Sequence, residues 1–145
     1  MSSISTPLQE AAEAGDLGLC QSLVSDGHDV NSGHPGQNNS TPLHLASRKG
    51  RNEVCIFLLD SGAELDSRDG IGFTPMILAA RQGHLATVRL LQQRGANVLA
   101  TNYGGFMAIH LAAMNNRAET VQYLVEEAGV GEDTVSRVTT LHCSM

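Results

Sequence analysis

Thr41-Pro42-Leu43-His44-Leu45-Ala46 returns 33 residues later as Thr74-Pro75-Met76-Ile77-Leu78-Ala79. After a further 33 it returns as Met107-Ala108-Ile109-His110-Leu111-Ala112, and an earlier copy, Thr6-Pro7-Leu8-Gln9-Glu10-Ala11, starts 35 residues before Thr41. Nine places into each block stands a turn residue: Gly15, Gly50, Gly83 and Asn116. A second glycine follows an apolar stretch, at Gly27, Gly62, Gly95 and, one place late, Gly129. Self-similarity at such a period marks a stacked array of supersecondary units. Threonine before proline is a helix-start signal, because the hydroxyl caps a free N–H and proline at the first helical position forfeits no needed donor. The spacing predicts a short first helix ending at the first glycine. A longer second helix over Glu53 to Leu59 is closed by Gly62, and an extended finger leads to the next threonine.

These residues resemble the ankyrin repeat, a unit of one β-turn and two helices. The resemblance spans about Thr6 to Val138. It implies an all-α fold: an α-solenoid of helix-turn-helix repeats with β-hairpin-like fingers, forming a single domain over 1–145. Its repeats are placed at about 6–40, 41–73, 74–106 and 107–138, with the start of a fifth over 139–145. The first repeat reads as a cap, with Gln9 and Glu10 where others carry His44-Leu45 or Ile77-Leu78, and Ser22 where others carry Phe57, Leu90 and Tyr123. Polar residues suit the outer face of a terminal repeat. Thr139-Thr140-Leu141-His142 opens a fifth motif that Met145 leaves unfinished, which reads as the edge of a longer array or, alternatively, as a short stub. Two fingers depart from the pattern. His28 to Ser40 holds two extra residues and is expected to be loose, and Gly131 to Val138 is irregular.

Composition sets the outer bounds. Nine basic against fifteen acidic residues give a net charge of -6, which argues against a partner built of nucleic acid. No apolar run nears the roughly 18 residues of a membrane span, so membrane insertion is not expected. Met1 to Gln9 has neither a basic nor an apolar leader segment, and three scattered cysteines make no disulfide framework. The chain thus reads as intracellular, cytoplasmic or nuclear, and as a monomer.

Candidate chemistry is thin. Cys20 and Cys55 share one repeat position, filled by Val88 and Val121 elsewhere, and read as small buried hydrophobes. Equivalent positions on packed helices lie roughly 8–10 Å apart, too far for a disulfide. The resemblance gives His44 and His110 a structural role, bridging to neighbouring backbone. His28 and His34 have no companion ligands for zinc. No GxSxG, GxxxxGK[ST] or HExxH motif occurs. No enzyme activity, cofactor or metal is expected.

The resemblance implies recognition of a protein or peptide through the concave face of finger tips and first helices. Carried over residue by residue, the candidate contacts are Ile71, Phe73, Tyr103 and Phe106 on the fingers. Arg48, Lys49, Arg81, Gln82, Met114 and Asn115 supply the first-helix contacts. Three of the chain's five aromatics fall on these tips, and aromatics with arginine are the usual anchors of interfaces. Phe73 and Phe106 either project in parallel as anchors or fold back over the adjacent repeat. A small aromatic cage for methyl-lysine is a remoter use of Phe73, Tyr103 and Phe106. The basic strip of Arg48, Lys49, Arg51 and Arg81 in an acidic chain favours a partner with acidic flanks. Two rival functions stand beside this one: a regulatory or targeting segment of a larger enzyme or channel, and a structural spacer without a ligand of its own.

Overall fold

A computed structural model describes residues 7–126 of the chain. Eight helices run in order: α1 (Pro7–Ala14), α2 (Leu17–Ser25), α3 (Pro42–Lys49), α4 (Asn52–Asp60), α5 (Pro75–Gln82), α6 (Leu85–Gln93), α7 (Ala108–Met114) and α8 (Ala118–Glu126). They form the expected solenoid of four helix pairs. The cap Thr6, the irregular segment 131–138, the fifth start motif at 139–145 and Cys143 lie outside the described residues.

Local chemistry explains where each first helix begins and ends. Thr41 Oγ1 accepts from the His44 amide at 3.3 Å, and Thr74 Oγ1 accepts from the Ile77 amide at 3.2 Å. Pro42 and Pro75 take the first helical position. Met107 has no hydroxyl to offer, and there the Met107 amide donates instead to His110 Nδ1 at 2.8 Å. Termination requires a left-handed residue. Gly50 has φ 72°, and Asn116, the one non-glycine in the series, adopts φ 60°. The Gly50 position has a second demand, since a Cβ there would lie 2.8 Å from the His84 ring. His84 belongs to a series with Arg51 and Arg117, each at the mouth of a second helix and each lying over the preceding repeat's glycine. Arg51 Nε donates to Glu13 O at 3.0 Å and Arg117 Nε to Arg81 O at 3.1 Å, so the series bolts consecutive repeats together.

The first helices pack side by side in the order α1, α3, α5, α7 and form one layer, while α2, α4, α6 and α8 form the second. Alanines line the tightest contacts: Ala12, Ala46, Ala79 and Ala112 are all fully buried. One continuous apolar core runs from Leu8 to Leu124. Leu58, Leu91 and Leu124 share a repeat position and are fully buried, whereas Leu23 in the first repeat is half-buried. The cap reading holds at Glu10 and Ser22, which are exposed, and fails at Gln9. It is 3% exposed, and its amide donates to Ser32 O at 2.7 Å, so a residue expected on a solvated outer face works inside the fold.

The first finger, expected to be loose, is hydrogen-bonded at its base. His34 to Ser40 is closed by a backbone hydrogen bond from His34 N to Ser40 O at 2.8 Å, with further bonds from Gln37, Asn39 and Ser40. The two extra residues lengthen the tip and leave its base intact. Asn38 and Asn39 absorb the turn at φ 54° and 59°, a region that asparagine tolerates better than most residues.

Two outcomes follow from this packing. Leu58→Ala removes a fully buried side chain between helices and should cost roughly 2–5 kcal/mol, read as a lowered melting temperature. The second concerns His44, fully buried with Nε2 donating to Phe73 O at 2.7 Å while Nδ1 accepts from the Thr41 amide at 3.1 Å. Burial lowers its pKa below the ordinary 6.5, outweighing the opposing pull of the Phe73 carbonyl and the Asp69 charge. The fold therefore holds the neutral ring. As pH falls below 6.5 the unfolded chain takes up the proton first, and stability present above that pH is lost. Melts across this range should show the decline, and His44→Gln should flatten it, because Gln9 already makes the equivalent reach to a finger carbonyl.

Candidate functional site

The fingers place the candidate residues, and one motif shapes each finger. Asp69 Oδ1 accepts from the amides of Ile71 at 3.0 Å and Phe73 at 2.9 Å, while Asp69 N donates to Phe73 O at 3.0 Å. One repeat on, Asn102 Oδ1 accepts from Gly104 at 2.9 Å and Phe106 at 3.0 Å, and Asn102 N donates to Phe106 O at 2.9 Å. His34 Nδ1 plays the same part for the Gly36 amide at 3.1 Å. This side-chain mimic of a backbone turn holds each tip without need of a partner. Adjacent fingers are then tied by Gly70 N to Asn38 O at 2.6 Å and Tyr103 N to Ile71 O at 3.3 Å. The approach is close: a Cβ on Gly72, at φ 87°, would sit 2.5 Å from Tyr103 N.

The turn dictates which side chains face out. Ile71, at the apex, is 46% exposed, and Tyr103 beside it is 68% exposed. Phe73, at the inner end of the turn, is only 8% exposed and belongs to the core. The expectation of a projecting Phe73 is thus corrected: capture of its amide by Asp69 folds the chain inward, and its carbonyl receives the His44 proton. Phe106 is half-buried, with its ring edge-on to His110 at a centroid separation of 5.9 Å. The aromatic strip is therefore a single exposed ring, Tyr103, flanked by Ile71, and no cage forms from three projecting rings.

Behind these tips lies a recess of about 140 Å³, lined by Gln37, Asn38, Ser40, Arg48, Asp69, Ile71, Phe73, Leu78 and Arg81. The structure thus brings together Arg48, Ile71, Phe73 and Arg81 from the residues picked out in the sequence, with Tyr103 on the neighbouring finger. Lys49 and Asn115 are exposed at the ends of α3 and α7, and Gln82 and Met114 are half-buried at the last positions of α5 and α7. None of these four, nor Phe106, lines the recess. Asn115 Nδ2 is occupied with Leu111 O at 2.8 Å.

The two arginines of the recess differ. Arg48 Nη2 donates to Glu13 Oε2 at 2.5 Å and to Gln37 Oε1 at 2.9 Å, which neutralises one charge of the expected basic strip from within the chain. Arg81 lies over the Phe73 ring, its guanidinium carbon 5.2 Å from the centroid, and its guanidinium makes no hydrogen bond or ion pair among the described residues. Asp69, Leu78 and Glu13 are not among the candidates that the sequence singles out. Asp69 was legible in principle, since Asn102 recurs 33 residues after it. The Glu13–Arg48 pairing is visible only once α1 lies beside α3.

Elsewhere the chemistry is quiet. Cys20 and Cys55 are buried free thiols, each pushed up to about 11, Cys20 by burial and the charge of Asp16, Cys55 by burial against a slight opposing bond to Ser47. Such thiols are poor nucleophiles near neutral pH. Among the described residues no three His, Cys, Asp or Glu side chains converge as a metal site. Among them, too, no helix is long and apolar enough to cross a membrane. A larger groove of about 260 Å³ on the second-helix layer, between α6 and α8, is lined by Leu85, Arg89, Glu119, Gln122, Tyr123 and Glu126. Within it Arg89 lies over the Tyr123 ring, and the Tyr123 hydroxyl donates to Gln92 Oε1 at 2.9 Å.

Comparison with known proteins supports this architecture. Residues 8–102 match a three-copy model described as "Ankyrin repeats", and residues 104–135 match the single "Ankyrin repeat" model. A human ankyrin repeat domain-containing protein 39 is 43% identical over 58 residues, 40% of this chain and 31% of that protein. A Caenorhabditis elegans Arf-GAP with ANK repeat and PH domain, cnt-1, is 37% identical over 62 residues, 43% of this chain and 7% of its own length. A transient receptor potential cation channel subfamily A member 1 homolog from the same worm is 35% identical over 69 residues, 48% of this chain and 6% of its own length. The chain therefore spans a third or less of these relatives. Ankyrin repeats are in general non-catalytic modules for protein interaction. With period, caps, fingers and stacked helix pairs all in agreement, this chain belongs to the ankyrin repeat family.

Proposed function

We propose that the domain binds a partner polypeptide across the finger tips of the second and third repeats, with Ile71 and Tyr103 as apolar anchors and the Arg48–Arg81 recess as the polar half of the site. The observation that carries this reading is the pairing of two exposed apolar side chains on hydrogen-bonded neighbouring tips. Other exposed large apolar residues are Leu19 on α2, Ile56 on α4 and Leu99 at the start of the third finger, outside the tight turn at its tip. Tyrosine with arginine is the usual composition of an interface anchor. The tips are held before binding by the Asp69 and Asn102 turns and by the backbone links between fingers. Little ordering entropy is then spent on association. Phe73 serves as the floor on which Arg81 rests, while Lys49, Gln82, Phe106, Met114 and Asn115 form the rim. A second reading, in which the domain targets or regulates a longer protein, is favoured by the small share of its relatives that it matches. It would use the same face.

The test compares proteins captured from matched lysate by the wild type, by Ile71→Ser with Tyr103→Ala, and by Ile56→Ser on α4. A partner retained by the wild type and by Ile56→Ser, and lost with the tip pair, is the expected outcome. For the isolated partner Tyr103→Ala should cost about 1–3 kcal/mol of affinity with an unmoved melting temperature. Phe73→Ala should lower the melting temperature as well. Identical capture by all three proteins would remove the concave face from the function.

A further inference from the structure

Resting on the interface reading above, we propose that the recess accepts a single carboxylate of the partner at Arg81, and that Glu13 makes it single by occupying Arg48 from within the chain. Glu13, Arg48 and Arg81 are each the penultimate residue of a first helix, and Met114 ends the fourth. Because α1, α3, α5 and α7 stack in sequence, the concave face reads, across the repeats, one acid, two bases and one neutral side chain. The acid and the first base satisfy each other, with Gln37 on the finger as a further acceptor for Arg48. The second base is left over.

Arg81 is prepared for a ligand in three ways. Its guanidinium lies over the Phe73 ring, 5.2 Å from the centroid, which holds it at the recess. Its backbone carbonyl is bound by Arg117 Nε, which pins the end of α5 to the fourth repeat. Its five N–H donors have no acceptor among the described residues. A planar guanidinium with free edges matches a carboxylate through two parallel bonds. The one carboxylate lining the recess, Asp69, is 5% exposed and holds two finger amides on Oδ1, so it works as part of the turn. The exposed Ile71 lines the same recess, and Tyr103 is tied to it from the next finger by the bond from Tyr103 N to Ile71 O. The partner segment is accordingly an acidic residue a short distance from an apolar one, and not a run of acidic residues. A run would need Arg48, which Glu13 holds.

The probes are two bead-bound octapeptide libraries with degenerate Leu, Phe and small positions. One carries a single Glu and the other two adjacent Glu residues, and each has a Gln-substituted counterpart. Wild-type protein should enrich the single-Glu library over its Gln counterpart and gain nothing from the second Glu. Arg81→Gln should lower affinity for the selected single-Glu peptides about tenfold, and Arg81→Lys, which keeps the charge and loses the fork, should recover only part of it. Glu13→Gln should raise affinity for double-Glu peptides about fivefold by freeing Arg48, an effect that added salt diminishes. Arg89→Gln, on the second-helix layer, should change none of these. Peptides enriched through Ile71 and Tyr103 with no preference for Glu over Gln would overturn the carboxylate assignment and leave the interface standing. A wild type that already prefers double-Glu peptides would overturn the role of Glu13. No enrichment sensitive to Ile71→Ser with Tyr103→Ala would fail the interface itself, and the inference with it.

Discussion

A helix pair of eight and nine residues is too short to persist alone, and its apolar face has nowhere to go except against the next pair. Burial between consecutive repeats is therefore the interaction on which everything else in this molecule depends. It explains the fully buried alanines at Ala12, Ala46, Ala79 and Ala112, which let first helices approach closely, and the leucines at Leu58, Leu91 and Leu124, which fill the space beneath. It also explains why polar groups at the joints are so fully engaged. A solenoid has no remote contacts to compensate for a poor joint. Each joint in the described region accordingly carries its own polar fastening: Arg51 to Glu13 O, Asn31 to Gly62 and Glu64, Asp66 to Asn97, and Arg117 to Arg81 O.

The recognition face proposed above would be a by-product of the same stacking. Repeats arranged side by side bring equivalent residues into rows, so a property repeated in sequence becomes a strip in space. The rows here are deliberately uneven. The finger row runs from His34 through Asp69 to Asn102, three different side chains doing one conformational job. The helix-end row runs from Glu13 through Arg48 and Arg81 to Met114, one conformational position serving several chemistries. Uniform rows make scaffold, and varied rows make a surface that can tell partners apart.

The fold was legible because its signals are local. Threonine caps, proline at the first turn and left-handed glycines act within four residues, and a fixed period repeats them until chance is excluded. What stayed hidden depends on contacts across repeats or on the sense of a turn. Gln9 looks like a solvated residue until its amide is seen to reach Ser32 O. Phe73 looks like a finger-tip anchor because it directly precedes a start motif, yet the Asp69 carboxylate four residues earlier draws its amide in and buries the ring. Arg48 looks like free positive charge until α1 places Glu13 beside it. Ile71 and Tyr103 were legible as exposed tips because nothing at the apex of a tight turn has room to fold inward.

Phe73 shows why stability and recognition cannot be fully separated in such a molecule. Its carbonyl takes the His44 proton, which ties the finger of the second repeat to that repeat's own first helix. Its amide is held by Asp69, which shapes the finger that exposes Ile71. Its ring carries Arg81. A change at this residue therefore disturbs the helix–finger tie, the tip and the charge together, and a loss of binding there identifies no single cause. Tyr103 and Arg81 are different. The Tyr103 ring stands mostly in solvent, and the Arg81 guanidinium forms no internal hydrogen bond among the described residues, so each can change with little cost to the joint below. On the proposed reading, selection for a new partner would be freest at these two residues, while Phe73 keeps the platform beneath them constant.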